Sequence, residues 1–529
     1  MNGAGGNSTR LMFDDDDDYG DGTALSSVLF ALLALALGML LFKVIYECLV
    51  TPLRLVPGPL LNSLTSVPMR WHMLRGTLPE YLQQLHDRFG SVVRLSPQRV
   101  SVADGDLIRQ VLGSSAFLKT PSYDMPAGLR ANTFSTRSVE ESTARRRLLG
   151  PGFARRKLEA MEPALIDCGV HAVRRMLDKA LVVEEKRRET VVQYQRLFSL
   201  VALDTIGALG FGCRLGAVDE GGHALVGVLR RVRLFNYASM ALPWLKWFPG
   251  LLAPWRRRLP TVGVLEDFAQ AAIVQRRQQQ QAGKSVPDDL LQLLLDAGAG
   301  QDALGVGLSE PQLVSESILH LVAGVDTTAA GLTWTLALLL AHPTVMQRLV
   351  AEIRREFPAG PTAPSVIGYE ACRRRLPYLA AAIQESLRTC PPAPGMLPRL
   401  APAGGVRLGG YAIPAGTWIC CSVGAAHADA AVFPAPLAFD PERFLATKGV
   451  AGTLAFSTGV RACLGRGLAL AEMSVVLANL LRDYDLRPVR CAAPSAGSAG
   501  RPLPCTTRMT MDPLCPDRDC LVVVARSGQ

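Results

Sequence analysis

The stretch FSTGVRACLG, residues 456–465, places one cysteine directly before an apolar-periodic segment that predicts a helix. A lone cysteine in this position is usually a packing residue, but its neighbours point to a ligand. Gly459 and Gly465 allow the backbone to approach a flat ligand closely or to adopt a positive φ. A helix N-terminus favours an anion, so the sulfur of Cys463 is expected to be held as a thiolate, and Arg461 offers a fixed charge for a carboxylate. The stretch therefore predicts a loop that presents one thiolate to the iron of a haem.

The composition of the whole chain is that of a large, apolar enzyme. Of its 529 residues, 49% are hydrophobic and 19% are charged, which excludes a disordered, collagen-like or polar-repeat protein. Twelve cysteines in so long a chain do not make a disulfide scaffold. Long apolar-periodic segments predict a mainly α fold. Strand signals predict a hairpin from residues 91–95 and 99–103, and a second small sheet from residues 406–413 and 418–423.

The N-terminus combines an acidic leader with an uncharged segment. Residues 1–23 contain six aspartates against Arg10 alone, whereas the 19 residues of 24–42 carry no charge. At about 1.5 Å per residue this segment spans about 28 Å, close to the hydrocarbon thickness of a bilayer. The alternative, a cleaved secretory signal, should have a basic start and a small-residue cleavage site. We therefore predict an acidic lumenal leader over residues 1–23 and a transmembrane anchor over residues 24–42.

The residues after the anchor predict its orientation. Lys43 and further basic residues follow the apolar segment, so the positive-inside rule places the C-terminal side in the cytoplasm. A glycosylation sequon at Asn7 would then face the lumen. Residues 43–60 are predicted to form a linker with a stiff bend at Pro57-Gly58-Pro59, followed by a single catalytic domain over residues 61–529.

One long helix is predicted between Ser309 and Ala341. Ser309 and Gln312 form a capping box, and Pro343 ends the apolar pattern. The middle of this helix, AGVDTT at residues 323–328, contains weak helix formers between two apolar halves. Such a sequence indicates either a functional site or a kinked core helix without chemistry.

Four motifs together resemble the cytochrome P-450 family. Residues 323–328 resemble its oxygen-binding helix motif, residues 385–388 its ExxR helix and residues 439–444 its PERF segment. The resemblance covers residues 57–529, matches microsomal members through the anchor and the Pro-Gly-Pro bend, and extends to fungal secondary-metabolism members. The haem-binding signature of the family is present at Phe456, Gly459, Arg461, Cys463 and Gly465.

The resemblance implies a cytochrome P-450 fold, a large helical domain with small β-sheets, and a structural network within it. Glu385 and Arg388 share a helix face at i and i+3, which alone would be an exposed pair worth under about 1 kcal/mol. In the family, an arginine such as Arg443 completes a buried Glu–Arg–Arg network. Its role there is to hold the haem-side core together.

The resemblance also implies haem b as the cofactor, with Cys463 as the axial ligand of the iron. Arg461, Arg399 and Arg146 are the candidate cations for the haem propionates. Many family members carry Trp or His four residues before the propionate-binding arginine, whereas this chain has Ser142. One propionate hydrogen bond is therefore expected to be weaker or made differently.

The implied activity is that of a haem-thiolate monooxygenase in the endoplasmic reticulum membrane. It would insert one oxygen atom of O2 into a C–H or C=C bond of a lipophilic small molecule, with Asp326 and Thr327 relaying protons. Electrons would come from NADPH through a flavoprotein reductase that docks near Cys463, with cytochrome b5 as a further donor; no nucleic acid partner is expected.

Residues 241–253 are predicted either to dip into the bilayer or to pack between helices. Substrate contacts are expected from residues 121–138, 234–252, 317–328, 391–397 and 505–511.

Two other functional classes remain open at this level. Some haem-thiolate relatives rearrange peroxides as isomerases or lyases without activating O2, and these enzymes can lose the acid–alcohol pair. Here Asp326 and Thr327 are both present, which favours the monooxygenase. A non-enzymatic haem sensor is the third class, and it would need neither the relay pair nor a reductase.

Overall fold

The computed structural model describes residues 21–124, 130–183, 189–243, 262–299, 307–358, 364–445, 453–489 and 501–527. The predictions on the acidic leader up to residue 20, on the sequon at Asn7 and on residues 244–253 lie outside these described residues.

Helices form most of the described chain, which confirms the predicted mainly α fold. In the N-terminal half they are α1 (Asp21–Ile45), α2 (Leu60–Leu64), α3 (Val67–Arg75), α4 (Leu78–Phe89), α5 (Gly105–Gly113), α6 (Val139–Leu149), α7 (Arg155–Ile166), α8 (Ala172–Val183), α9 (Tyr194–Phe211) and α10 (Ala224–Ala241). In the C-terminal half they are α11 (Val262–Gln281), α12 (Leu290–Ala299), α13 (Glu310–Ala341), α14 (Pro343–Glu356), α15 (Tyr369–Arg375), α16 (Pro377–Thr389), α17 (Val423–His427), α18 (Glu442–Leu445), α19 (Arg466–Asp483) and α20 (Pro516–Asp519).

The strands form small sheets at the sides of the helical core. They are β1 (Val92–Ser96), β2 (Arg99–Val102), β3 (Glu189–Gln193), β4 (Met396–Leu400), β5 (Val406–Leu408), β6 (Tyr411–Ile413), β7 (Trp418–Ser422), β8 (Tyr484–Pro488), β9 (Cys505–Arg508), β10 (Thr510–Pro513) and β11 (Leu521–Arg526). The sheet orders are β1-β2-β7-β4, β3-β11-β8, β5-β6 and β10-β9.

The predicted β1–β2 hairpin is observed, but the predicted second sheet is wrong in its pairing. The segment 406–413 folds back on itself as the β5–β6 hairpin around Gly409 and Gly410, both at positive φ. Strand β7 instead runs parallel to β2 and antiparallel to β4. The two three-residue strands of the hairpin form their hydrogen bonds with each other, so the partners of β7 are β2 and β4 and not the hairpin.

Helix α13 is the central element of the fold. It begins and ends as predicted: the Gln312 side chain accepts a hydrogen bond from the Ser309 backbone N–H at 2.8 Å, and the next helix starts at Pro343. The AGVDTT segment remains α-helical and does not interrupt the helix. Most of α13 is buried, and it packs along α9. The helix that carries the segment is therefore part of the core.

Helix α1 stands apart from this core. Its described side chains are almost all exposed, and the span Ser26–Val50, together with α13, is long and apolar enough to cross a membrane. Because α13 is mostly buried, α1 is the helix that fits the predicted anchor. The Pro57-Gly58-Pro59 bend after it packs on β1, where the Arg94 backbone N–H donates to the Pro57 carbonyl at 2.7 Å.

Candidate functional site

The cysteine loop is a tight turn that ends where α19 begins. The Cys463 backbone N–H donates to the Phe456 carbonyl at 2.9 Å, and the Ala462 N–H donates to the Gly459 carbonyl at 3.0 Å. These bonds hold the loop closed while the Cys463 side chain remains accessible. An apolar-flanked thiol that packing does not cover is available as a ligand.

Gly459 is the residue that allows this loop to lie against α5. Its φ is +71°, and an added Cβ would lie 2.4 Å from both the Leu112 carbonyl oxygen and the Gly113 Cα. The Gly459→Ala substitution is therefore expected to lower the free energy of unfolding by about 1–3 kcal/mol through backbone strain, and the clash should lower it further. Urea unfolding of the two proteins measures the change.

Gly465 offers a matched control for that substitution. Its φ is −77°, and its added Cβ would have only the Cys463 Sγ nearby, at 3.9 Å. Gly465→Ala should lose clearly less stability than Gly459→Ala. Equal losses would contradict the assignment of Gly459 to the contact with α5.

The ionisation of Cys463 depends on more than the helix N-terminus. Although the side chain is accessible, the surrounding protein desolvates the sulfur and raises the pKa of the thiol, and the N–H groups of Gly465 and Arg466 and the charge of Arg146 oppose that rise without cancelling it. The expectation that the sulfur is held as a thiolate therefore stays a prediction for the metal-bound protein. A coordinated metal ion deprotonates a thiol outright, so the thiolate form is expected when the sulfur binds a metal.

Four cations converge beside the cysteine loop, and three of them are the predicted propionate-binding residues. Lys119 lies within electrostatic reach of Arg399, Arg461 and Arg146. Burial, followed by these three charges, lowers the pKa of Lys119 to about 6. In the described residues none of the four is joined to a carboxylate in an ion pair. Lys119 and Arg399 are buried, whereas Arg146 and Arg461 are partly buried. With a pKa of about 6, Lys119 would gain its proton when a carboxylate arrives, so the cluster fits a ligand with two carboxylates, as haem has.

Neighbouring groups orient these cations. Arg461 donates from Nη1 and Nη2 to the carbonyls of Thr136 and Ser138, at 3.1 and 2.8 Å, which connects the cysteine loop to the start of α6. Arg399 donates from Nη1 to the Tyr123 hydroxyl at 3.2 Å. The Lys119 Nζ lies 4.5 Å from the centre of the Tyr123 ring.

Sequence reasoning missed Lys119. Nothing in the spacing of its neighbours sets it apart from a surface lysine, and its burial follows from its bridge to Arg399 in the folded chain. The Ser142 hydroxyl is buried without a hydrogen-bond partner in the described chain. Lys119 is a further candidate donor to a propionate.

The other predicted motif lies in the middle of α13. Ala323 is exposed although it is part of a core helix, so it borders an internal space. The Thr327 hydroxyl donates to the Ala323 carbonyl at 2.6 Å, one helical turn earlier. This bond fixes the rotamer of Thr327 and leaves the lone pairs of Oγ1 free to accept a proton donor.

Asp326 is turned away from Thr327. Its Oδ2 lies 3.4 Å from the Nη1 of Arg233 on α10. Burial raises the pKa of Asp326, with the Arg233 charge opposing and the Asp512 charge adding to the rise. The structure thus places the two relay residues side by side on α13, but without a direct hydrogen bond among those described.

The predicted Glu–Arg–Arg network is assembled and buried. Arg388 donates from Nε and Nη2 to the two carboxylate oxygens of Glu385, at 2.7 Å each, and Arg443 donates from Nε to Glu385 Oε1 at 3.0 Å. Glu385 is 0% exposed and Arg388 2%. The reading of this pair in isolation as an exposed, weak interaction is therefore wrong, because α16 lies in the core.

A histidine that the sequence did not single out connects this network to the cysteine loop. The His427 Nε2 accepts a hydrogen bond from the Leu454 N–H at 2.7 Å, so Nδ1 carries the proton and donates to the Arg388 carbonyl at 3.1 Å. Burial and the neighbouring Arg388 charge lower the pKa of His427 to about 3. His427 thus stays neutral and positions the segment that leads to the cysteine.

Parts of the predicted substrate-contact segments meet on α13. The Met511 backbone N–H donates to the Pro392 carbonyl at 2.9 Å, and the Met511 carbonyl accepts from the Trp334 indole at 2.8 Å. Near the start of α13, the buried Glu316 carboxylate accepts from the Thr133 N–H at 2.8 Å. Segments that are distant in the sequence therefore surround the helix that carries Asp326 and Thr327.

Comparison with known proteins agrees with this geometry. The model of the cytochrome P450 family matches residues 57–496. The chain belongs to the cytochrome P450 family. Cytochrome P450 monooxygenase helB1 of Aspergillus fumigatus is 32% identical over 512 residues, covering 94% of this chain and 86% of that protein. Cytochrome P450 monooxygenase helB3 of the same fungus is 34% identical over 516 residues, covering 95% and 98%. Cytochrome P450 monooxygenase LUC2 of a Fusarium species is 31% identical over 444 residues, covering 83% and 84%.

Membership in the cytochrome P450 family confirms the predicted fold and the predicted enzyme class, an oxidoreductase of the monooxygenase type. The family uses a haem-thiolate cofactor and O2. The accessible Cys463 sulfur and the four unpaired cations fit that cofactor: the sulfur would hold the iron, and the cations would hold the two propionates.

Proposed function

We propose that this cytochrome P450 is a membrane-anchored monooxygenase that inserts one oxygen atom of O2 into a lipophilic small molecule. NADPH would supply the electrons through a separate flavoprotein reductase. The observation that carries the proposal is that an accessible cysteine lies beside four basic residues without a carboxylate partner among the described residues, at the start of α19, which packs against α13.

Each part of the site has a distinct task in this proposal. Haem bound through Cys463 would supply the activation of O2, because an axial thiolate favours cleavage of the O–O bond. Arg146, Arg399 and Arg461, with Lys119, would neutralise the propionates. Thr327 would hold a proton donor at Oγ1, and Asp326 would bring protons from the side of α10. The buried wall of α13 would exclude water from the site.

The proposed substrate class follows from the lining of α13. The residues at its middle that are not fully buried include Val322 and Ala323, which present apolar or small groups to the internal space. A site of this kind binds mainly by apolar contact, with few polar groups to orient the ligand. The matched relatives are fungal monooxygenases, and we propose secondary or lipid metabolism as the setting.

We further propose that the enzyme lies in the endoplasmic reticulum membrane with its catalytic domain in the cytoplasm. Helix α1 is apolar and exposed over a length that fits a bilayer, and Lys43 with Arg54 and Arg70 follow it. The cations after the span set this orientation by the positive-inside rule.

Thr327→Ala tests the monooxygenase mechanism. Without the hydroxyl, protons should arrive in the wrong place, so more of the electrons from NADPH should leave as hydrogen peroxide. The loss from removing one proton-transfer group is expected to be about 100-fold or more in product formation. The measurement is NADPH, O2 and hydrogen peroxide stoichiometry with added reductase.

Thr333 offers a matched control on the same helix. Its hydroxyl makes the same bond to the carbonyl four residues earlier, at 2.6 Å from Ala329, but it is fully buried in the core. Thr333→Ala should therefore raise peroxide release far less than Thr327→Ala. A wild-type enzyme that consumes no NADPH with any reductase would instead favour the peroxide isomerase or the haem sensor.

Reductase docking is expected at the basic surface next to the cysteine loop. Arg156 on α7 and Arg466 at the start of α19 are exposed, and α7 packs against α19 where Gly467 faces Leu158. Arg156→Glu is expected to slow reduction of the haem iron by the reductase, with the largest effect at low salt, where charges steer association most strongly. Stopped-flow reduction at several salt concentrations measures this effect. Arg231→Glu on α10, also exposed, is the control, and equal slowing by both variants would rule out this docking surface.

A further inference from the structure

A buried ion cluster joins three elements next to the proposed proton relay. Arg233 lies on α10, Asp326 on α13 and Asp512 on β10. The side chains of the three residues are 8%, 16% and 25% exposed, respectively. One arginine thus faces two carboxylates in a poorly solvated place, where small differences in geometry decide which carboxylate keeps its charge.

The geometry favours Asp512. The Arg233 Nη2 lies 2.7 Å from Asp512 Oδ2, and the Arg233 Nη1 donates to the Thr510 hydroxyl. Asp326 is held only by the longer 3.4 Å approach to Nη1, and its Oδ2 has no hydrogen-bond partner although it is buried. The Arg233 Nε is also buried without a partner, so this arginine has a donor left that Asp326 does not use.

The neighbouring charges also favour Asp512 as the ionised carboxylate. Arg233 and Arg230 both stabilise the charge of Asp512, whereas among the described residues only Arg233 does so for Asp326, and the Asp512 charge repels it. Burial raises the pKa of both carboxyls. The effect of burial is offset less at Asp326 than at Asp512, so Asp326 retains a proton more easily.

We propose that Asp512 is a positioning residue that occupies Arg233 and thereby keeps Asp326 free to carry protons. This inference rests on the proposed function, in which Asp326 supplies protons to the oxygen-binding side of α13. Without Asp512, Arg233 would turn its free donors to Asp326 and hold it as an ionised, two-pronged pair. A carboxylate that is kept ionised in such a pair neither binds nor delivers a proton.

The first test observes the proton directly. Infrared difference spectra of the full-length protein are recorded for wild type, Asp326→Asn, Asp512→Asn and Asp512→Glu. The buried Glu472, whose pKa is raised to about 8, contributes its own C=O band in every variant. The band of Asp326 is identified as the one that Asp326→Asn removes, and it should be weakened in Asp512→Asn and retained in Asp512→Glu. Above the pKa, each unit by which the pKa of Asp326 falls lowers the protonated fraction about tenfold. An unchanged band in Asp512→Asn would overturn the proposal.

The second test follows the electrons during turnover without substrate, with added reductase. Release of hydrogen peroxide consumes one NADPH per O2, whereas reduction of both oxygen atoms to water consumes two. Asp512→Asn should move the NADPH-to-O2 ratio towards one, as Asp326→Asn does. Asp485→Asn, a surface carboxylate paired with Arg354, is the matched control and should leave the ratio closer to that of wild type.

Removal of Arg233 distinguishes a positioning role of Asp512 from a general loss of structure in the Asp512→Asn variant. In Arg233→Gln/Asp512→Asn no cation remains to capture Asp326, so the double variant should regain the carboxyl band and release less peroxide than Asp512→Asn alone. It also removes two buried charges together, so it remains testable if Asp512→Asn fails to fold. A double variant without the carboxyl band would contradict the proposal.

Different outcomes refute the proton relay and the role of Asp512. If Asp326→Asn leaves the NADPH-to-O2 ratio unchanged, the proton relay of the proposed function is wrong. If Asp326→Asn changes the ratio and Asp512→Asn does not, the relay stands and the role of Asp512 is refuted.

Discussion

Replacing Cys463 with alanine is expected to remove the spectral mark of a haem-thiolate protein completely. The sulfur is accessible at the end of a loop closed by the Cys463–Phe456 backbone bond, and it is the proposed axial ligand. Without it, the four cations can still attract the propionates, but the iron has no thiolate. The measurement is the carbonyl difference spectrum of the reduced protein, in which the thiolate-type band should be lost while residual haem is still detected.

Cys213→Ala is the control for this experiment. Cys213 is partly buried at the end of α9, and burial raises the pKa of its thiol. Its removal should leave the band in place. A thiolate-type band that persists in Cys463→Ala would show that another residue binds the iron.

Glu385→Ala is expected to destabilise the protein more than any surface substitution. It removes a carboxylate that is 0% exposed and leaves the Arg388 guanidinium, 2% exposed, without the carboxylate that it shares with Arg443. Breaking a buried pair in this way costs about 3–5 kcal/mol. Urea unfolding should show the loss, and haem retention should fall with it, because Arg388 and His427 together position the segment before the cysteine loop.

The chain contains a pair of the same spacing at the surface. Glu370 and Arg373 also stand at i and i+3, but their side chains are 35% and 48% exposed. Glu370→Ala should therefore change the unfolding free energy far less, because water replaces the lost partner. If Glu370→Ala and Glu385→Ala were equally destabilising, burial would not be what gives the Glu385 network its importance.

The elements that follow local rules could be predicted from the sequence. Helix α13 begins after the Ser309–Gln312 capping box and ends before Pro343, since both signals act within a few residues of the helix ends. The β1–β2 hairpin depends on a short connection and was predicted equally well. The pairing of β7 was not, because its partners lie about 20 and over 300 residues away in the sequence.

The sequence by itself determined the ends of α13, the apolar N-terminal helix and the family, because these depend on residue types at short, fixed spacings. Only the tertiary structure brought Lys119 into the cation cluster, buried the Glu385 network and turned Asp326 towards Arg233 and Asp512. The physical reason is that burial and charge interactions depend on distances between side chains far apart in the chain, and no local pattern encodes those distances.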